Sequence, residues 1–315
     1  MSLKSIEVKN LTKKFGDFIS VNDISFDVYK GEIFGFLGAN GAGKSTTIKM
    51  LCGILEPTSG DALVSGFSID KDPESVKKNI GYMSQKFSLY GDLTVNENLN
   101  FFGGIYGLEG SILEKRKDWA LKISGLENKG NILTSTLSVG FKQRLALGAA
   151  VMHEPKIVFL DEPTGGVDPV SRRKFWDLIH EISDKGMTVF VTTHYLDEAE
   201  FCNRIILINA GKLIASGSPA ELKEEFIEST VLEIVCDDTI AVTELLSDED
   251  YSQNVSVFGN SIHLILKKKY SENSEELDVI KRSISEKTGR QDNVKINIIL
   301  PSLEDVFLNL LEKRE

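Results

Sequence analysis

A short apolar run, Ile33-Phe34-Gly35-Phe36-Leu37, leads directly into Gly38-Ala39-Asn40-Gly41-Ala42-Gly43-Lys44-Ser45-Thr46, and nothing else in the chain restricts the fold so tightly. The segment fits G-x-x-x-x-G-K-[ST] between a strand and a helix. Glycines let the backbone curl so that successive N–H groups converge on phosphate oxygens, and the positive end of the following helix adds to the attraction. The expected ligand is a nucleotide polyphosphate cradled by Gly38, Asn40, Gly41, Gly43 and Thr46. Lys44 would reach the β- and γ-phosphates, and the Ser45 hydroxyl would hold Mg²⁺. The helical pattern runs from Thr46 to Leu55, and Glu56-Pro57-Thr58-Ser59-Gly60 ends it with turn chemistry.

A second signal lies far along the chain. Ile157-Val158-Phe159-Leu160-Asp161-Glu162 is an apolar strand that ends in two consecutive carboxylates. A strand interior cannot accept those charges, so they emerge at its carboxyl end, where ligands of open α/β sheets bind. Asp161 is then expected to orient Mg²⁺ and Glu162 to polarise an attacking water.

The remaining pattern supplies the frame. Ser5 to Lys9 alternates, and Ile24, Phe26 and Val28 fall at period two, as strands do. From about Phe87 to Met152 helical patterns dominate, with helices expected over Asn96–Tyr106, Leu113–Ser124 and Phe141–Met152. Alternation then returns, with strands at Ile157–Leu160, Thr188–Thr192 and Arg204–Ile208 and helices at Ser171–Ser183 and Tyr195–Phe201. Strands separated by helices imply parallel crossovers, hence an α/β sheet with a helical insertion.

After Lys223 the texture changes. A strand at Val231–Val235, a helix at Ile240–Leu246, a hairpin around Gly259-Asn260 and a strand at Val294–Ile299 are expected. Leu277, Ile280 and Ile284 keep helical spacing, with Gly289 where a stop belongs, and Ser302-Leu303-Glu304-Asp305 has a capping-box pattern. The order βαββαβ matches a split-βαβ, ferredoxin-like unit.

Bulk properties narrow the class. At 315 residues and 41% hydrophobic composition the chain can bury two cores. No stretch approaches the roughly 18 apolar residues of a membrane helix, and Met1 to Asn10 lacks the apolar region of a secretory signal, so a cytoplasmic location is expected. Three cysteines, Cys52, Cys202 and Cys236, lack metal spacing and read as packing residues in a reducing compartment. A net charge of −11 argues against a nucleic-acid partner, and Lys267 to Lys269 reads as a solvated strand end.

Leu137-Ser138-Val139-Gly140-Phe141-Lys142-Gln143-Arg144, just before the acidic strand, resembles the signature segment of ABC ATPases. Gln85 after Ile80 to Ser84 looks like that family's Q-loop, Gly165-Gly166-Val167-Asp168 its D-loop, and His194 its switch histidine. Phe15, in Leu11-Thr12-Lys13-Lys14-Phe15-Gly16, is similar to the aromatic that stacks on adenine. The family signature usually reads Leu-Ser-Gly-Gly-Gln, so Val139 and Phe141 depart from it, while Ser138 and Gly140 are retained. Gly165 stands where serine is common, and Asp168 remains.

The resemblance implies a P-loop NTPase fold: a RecA-like core with an antiparallel β subdomain and a helical signature subdomain over residues 87–152. It implies an ATPase domain over residues 1–224 and a small α+β accessory domain over 225–315. It also implies catalysis of ATP hydrolysis by Glu162, His194, Lys44 and Gln85, with Mg²⁺ at Ser45, Gln85 and Asp161. Phe15 would stack on the base. Ser138, Gly140 and Asp168 would complete the ATP site of a second copy, so that two chains close head-to-tail.

Glu162-Pro163-Thr164-Gly165-Gly166-Val167-Asp168-Pro169 and Pro301-Ser302-Leu303-Glu304-Asp305-Val306-Phe307-Leu308 resemble the ATPases of ABC-2-type exporters of drugs, lipids, polysaccharides or ions. The implied partner is a separate transmembrane permease, a helix of which would dock near Phe87, Leu89, Tyr90, Leu93 and Thr94, at the inner face of the cell membrane. The competing readings are a soluble ABC ATPase acting on ribosomes or nucleic acid, and a regulatory module with little turnover. The absence of coiled-coil or zinc insertions speaks against the first, and the intact Glu162 against the second.

Overall fold

The computed structural model describes residues 3–85, 89–226, 230–267, 269–270, 278–280, 282–284 and 294–312. The chain divides into two compact units, Met1–Ser218 and Pro219–Glu315.

Two sheets build the first unit. One is antiparallel, in the order β2-β1-β4-β5, from β1 (Lys4–Phe15), β2 (Phe18–Tyr29), β4 (Ser59–Val64) and β5 (Phe67–Ser68). The other has the order β10-β9-β3-β8-β7-β6, from β3 (Ile33–Leu37), β6 (Ile80–Met83), β7 (Ile157–Asp161), β8 (Thr188–Thr193), β9 (Arg204–Asn209) and β10 (Lys212–Gly217). Its neighbours are parallel except at the edge, where β10 runs antiparallel to β9.

Every residue of β3, β7 and β8 is buried, as strands covered on both faces require. On one face Phe34, Phe36 and Phe190 gather around Phe26 of β2 with ring centroids 5.5–6.3 Å apart, and Phe159 joins at 5.4 Å from Phe190. Period-two alternation sends Ile33, Leu37 and Val191 to the opposite face. There α6 (Pro169–Asp184) packs on β3 and β8 and buries Phe175, Trp176 and Ile179.

The helices of the first unit are α1 (Lys44–Leu51), α2 (Pro73–Asn79), α3 (Val95–Ile105), α4 (Gly110–Ser124), α5 (Val139–Val151) and α6. The α3–α5 group is the helical insertion. Thr94 and Glu97 close a reciprocal capping box at the start of α3, and fully buried Asn98 pins the preceding loop through Tyr90 N–H at 2.8 Å and Tyr90 C=O at 2.9 Å. Leu89 therefore turns inward, whereas Tyr90 stays half exposed against Phe101. Phe87 lies outside the described residues.

Three expectations need correction. The helix expected over Thr46–Leu55 spans Lys44–Leu51 and ends at Cys52. The helix expected at Tyr195–Phe201 is a single 3₁₀ turn, Glu198–Phe201, because the Glu198 carboxylate is drawn inward onto two threonine hydroxyls. Ser59 and Gly60 begin β4 as well as ending a turn. Gly60 has φ +79°, and a Cβ there would overlap the Asn10 carbonyl of β1, so glycine is what lets the strands pair so closely.

The second unit contains α7 (Pro219–Phe226), β11 (Val231–Val235), α8 (Thr239–Ser247), β12 (Ser252–Phe258), β13 (Ser261–Leu266), β14 (Lys295–Ile299) and α9 (Leu303–Glu312). The sheet order is β12-β13-β11-β14 with all neighbours antiparallel, so β13 separates β11 from β12, the two strands that α8 connects. The core gathers Leu232, Ile234, Val242, Leu246, Ile262 and Leu264 with Ile280 and Ile284. Ser302 and Asp305 exchange hydrogen bonds at the start of α9, at 2.8 and 3.2 Å. The unit begins at Pro219, and α7 packs on α9. Leu277, Gly289 and Lys268 lie outside the described residues. Among the described residues no helix is long and apolar enough to cross a membrane.

Candidate active site

In a parallel sheet the carboxyl ends of neighbouring strands share one edge, which brings the segments after β3, β6, β7 and β8 together. Those segments carry Gly38–Thr46, Gln85, Glu162 and His194.

The loop after β3 tolerates nothing larger than glycine at two places. A Cβ on Gly38 would overlap the Ile208 carbonyl oxygen of β9, and one on Gly43, at φ +108°, would sit 2.5 Å from the Ser20 carbonyl oxygen. Gly41 also adopts a positive φ, +81°. Asn40 and Gly41 are exposed at the loop's crest, and the Ser20 hydroxyl bonds that of Thr46 at 2.9 Å. Lys44 is buried, with its ammonium donating to the carbonyls of Gly38 at 2.8 Å and Ala39 at 3.2 Å.

The carboxylates at the end of β7 divide into two environments. Asp161 accepts from the Ser45 hydroxyl at 3.1 Å and from Thr192 Oγ1 at 2.7 Å. Glu162 is 8% exposed and is gripped from three sides: Lys44 Nζ at 3.2 Å, Gln85 Nε2 at 2.9 Å and His194 Nδ1 at 3.2 Å. Its backbone is left-handed, φ +49°, a conformation that costs an L side chain about 1 kcal/mol or more. The Glu162 N–H is held by Thr192, whose carbonyl and hydroxyl oxygens are both 3.1 Å away. Gln85, expected at the metal, contacts Glu162 here and not Asp161.

A further polar network, absent from the sequence reading, lies beneath. Fully buried Glu198 accepts from Thr164 Oγ1 at 2.6 Å and Thr193 Oγ1 at 2.8 Å, with Arg172 Nε 3.4 Å away. Burial raises its pKa against the lowering by both hydroxyls and Arg172. Paired threonines at the end of an otherwise apolar strand, Thr192-Thr193, were the one sequence signal that could have exposed it.

Four expected site residues lie apart from this cluster. Phe15 closes the β1–β2 hairpin, 49% exposed, opposite Phe18 and with Lys13 Nζ 5.4 Å from its ring centre. Ser138 precedes α5 as an exposed N-cap whose side chain makes no capping bond. Gly140 is buried in the first turn of α5, where a Cβ would meet both Cβ and Oγ of Ser171 at 2.7 Å. Asp168 is exposed and caps α6 through Ser171 N–H at 2.9 Å, and that amide holds its carboxyl below the usual range. Val139 is the first residue of α5 and adopts no positive φ, so its β-branched side chain fits where the family has glycine.

A strand, glycine loop and helix with a buried lysine, facing an Asp–Glu pair from β7, two strands away in the same parallel sheet, form a nucleoside triphosphate site. Residues 21–165 match the family model described as ABC transporter. The probable multidrug ABC transporter ATP-binding protein YbhF of Escherichia coli (strain K12) is 55% identical over 220 residues, 70% of this chain and 38% of YbhF. This chain thus spans well under half the length of that relative. The linearmycin resistance ATP-binding protein LnrL of Bacillus subtilis (strain 168) is 35% identical over 312 residues, 97% of each chain. The dimeric, ADP- and Pi-bound ATP-binding cassette MJ0796 superposes with a TM-score of 0.62 at 28% identity, over 68% of this chain and 98% of that one. Likeness to LnrL from end to end, with the site geometry described above, makes this chain a member of the ABC transporter family, one of its ATP-binding proteins.

Proposed function

We propose that the chain hydrolyses ATP and thereby powers export through a separate membrane permease, working at the inner face of the cell membrane as one of two ATPase subunits. The observation that carries this reading is the three-sided grip on Glu162, which joins the phosphate loop, the Gln85 segment and His194 at one carboxylate. In this reading Lys44 binds the β- and γ-phosphates. Glu162 polarises the attacking water, His194 contacts the γ-phosphate, and Phe15 stacks on adenine.

The residues fit Mg²⁺. The Ser45 hydroxyl and Asp161 carboxylate already touch at 3.1 Å, and among the described residues no group of three or more His, Cys, Asp or Glu could cage an ion alone. That is the donor set of an ion shared with substrate phosphates, held by Ser45 and Asp161 with Gln85 nearby. When bound, Mg²⁺ would neutralise charge developing on the phosphate oxygens.

Ser138, Gly140 and Asp168 lie apart from the Glu162 cluster, and the exposed start of α5 presents the first-turn N–H groups that a helix leaves without intrahelical partners, suited to a phosphate. They serve the ATP of a second copy, so two chains close head-to-tail and hydrolysis reopens them. The γ-phosphate is the differential contact that any such switch requires. The names of YbhF and LnrL favour drug-like cargo, with cargo choice made by the permease. Half-exposed Tyr90, beside Phe101, supports a docking place for a permease helix. A ribosomal or nucleic-acid target is disfavoured by the charge of −11.

The test is association of the Glu162→Gln chain in saturating Mg·ATP, followed by light scattering. A dimer is expected, and Ser138→Arg should keep it monomeric with ATP still bound. Persistent monomer, alone and with the permease, would remove the composite-site reading.

A further inference from the structure

Glu198 has no part in the reaction just described, yet it is 0% exposed. Burying a carboxylate costs several kcal/mol, on the order of a small domain's net stability, unless its oxygens are satisfied. Here each oxygen takes one hydroxyl. Oε1 accepts from Thr164 at 2.6 Å, and Oε2 accepts from Thr193 at 2.8 Å. Thr164 stands two residues after Glu162, in the segment that runs to Asp168 and α6. Thr193 stands immediately before His194, and its hydroxyl also accepts from Tyr195 N–H at 3.0 Å.

Arg172, in the first turns of α6, lies 3.4 Å from Glu198 and 3.5 Å from Asp197, with its guanidinium 4.3 Å from the Tyr195 ring. The Tyr195 ring in turn lies 4.1 Å from that of His194. One carboxylate therefore ties together the segments that follow β7 and β8, and it does so behind the groups that face the nucleotide.

We infer that Glu198 is a positioning residue for ATP hydrolysis: by taking Thr164 and Thr193 on its two oxygens, it fixes the spacing of Glu162 and His194 and couples both to the Asp168 segment facing the second copy. The inference rests on the ATPase reading above. Both threonine hydroxyls donate to Glu198 and not to the phosphate loop, so ATP binding should be spared. A shift of about 1 Å in reacting groups can cost on the order of a hundredfold in rate. The loss should therefore fall on kcat and not on KM.

The test uses the full chain with Thr164→Val, Thr193→Val and Glu198→Gln, together with the rescue variants Thr164→Ser and Thr193→Ser. Valine matches threonine in shape but cannot donate, serine can, and glutamine keeps the volume of Glu198 while turning one acceptor into a donor. Rates are expressed per ATP-binding site, so partial unfolding lowers the number of sites and not kcat. The valine and glutamine variants should lose at least about tenfold in kcat with KM for ATP within about twofold, and the serine variants should recover to within about threefold. Valine or glutamine variants that bind ATP and keep wild-type kcat overturn the inference, as does loss of kcat that serine fails to restore. If wild type turns over no faster than Glu162→Gln, the ATPase reading itself fails, an outcome distinct from normal wild-type turnover with unaffected variants.

Discussion

Replacing Glu162 by glutamine keeps the shape of the side chain and removes a negative charge that lies 3.2 Å from both Lys44 and His194. Lys44, 4% exposed, would keep the carbonyls of Gly38 and Ala39 as acceptors. The cost is therefore smaller than the roughly 3–5 kcal/mol of stripping a buried ion of its only partner. A hydrogen bond to a charged group, about 1.5–3 kcal/mol, is the closer measure. A loss of about 2 kcal/mol lowers Tm by roughly 4–8 °C in a unit the size of Met1–Ser218. Mg·ATP should reverse this, because phosphate oxygens replace the lost anion at Lys44, and a ligand at a hundred times its Kd adds about 2.7 kcal/mol. Turnover should meanwhile fall by about 10²- to 10⁴-fold, the contribution of a positioned general base. Thermal melts with and without Mg·ATP, beside steady-state phosphate release, read both effects. A variant that turns over within about threefold of wild type would refute the base assignment. One that melts no lower without nucleotide would refute the ion-pair argument.

Gly140→Ala should cost about 1–3 kcal/mol by overpacking against Ser171, and the double variant with Ser171→Gly should recover part of it in a urea titration, since that change removes both atoms in the way. Phe15→Ala should raise KM for ATP by roughly tenfold with kcat little changed, consistent with about 1–3 kcal/mol for stacking on a base, whereas Phe15→Tyr should preserve it. His153 stacks on Tyr106 at 3.6 Å, and burial depresses its pKa from 6.5 to about 4. Because the unfolded chain takes up that proton first, the stability this residue contributes is complete above pH 6.5 and is lost as pH falls toward 4. Urea unfolding at stepped pH should show the slope in wild type and a shallower one in His153→Gln.

The cluster around Glu162 in the candidate site was legible in the sequence because its parts follow the carboxyl ends of strands, and strands such as Ile157–Asp161 advertise themselves by continuous apolarity. What escaped were elements whose residues serve two purposes. Ser59 and Gly60 carry turn composition, yet they open β4, since only glycine allows the approach to Asn10. Asp197-Glu198-Ala199-Glu200 has the composition of a solvated helix, and no periodicity distinguishes Glu198, which turns inward, from Glu200, which stays exposed. Its partners lie 34 and 5 positions away in the chain, and a contact of that kind is decided by tertiary structure. Val139 presents the reverse case. Its side chain departs from the family signature, but its place as a first helical residue requires no unusual backbone, so the departure leaves the start of α5 intact.

The phenylalanine cluster between the two sheets has a consequence for ligand choice. Phe26 of β2 is packed against Phe34 and Phe36 of β3, and the same strand β2 supplies Ser20, whose backbone abuts Gly43 and whose hydroxyl reaches Thr46. The hairpin tip bearing Phe15 and the helix that opens at Lys44 are thus joined through β2, which the packed rings hold against β3 as one body. With Phe15 proposed at the base and Lys44 at the phosphates, such a body would work as a calliper, its jaws set before any ligand arrives and admitting a molecule by the length between its base and its last phosphate.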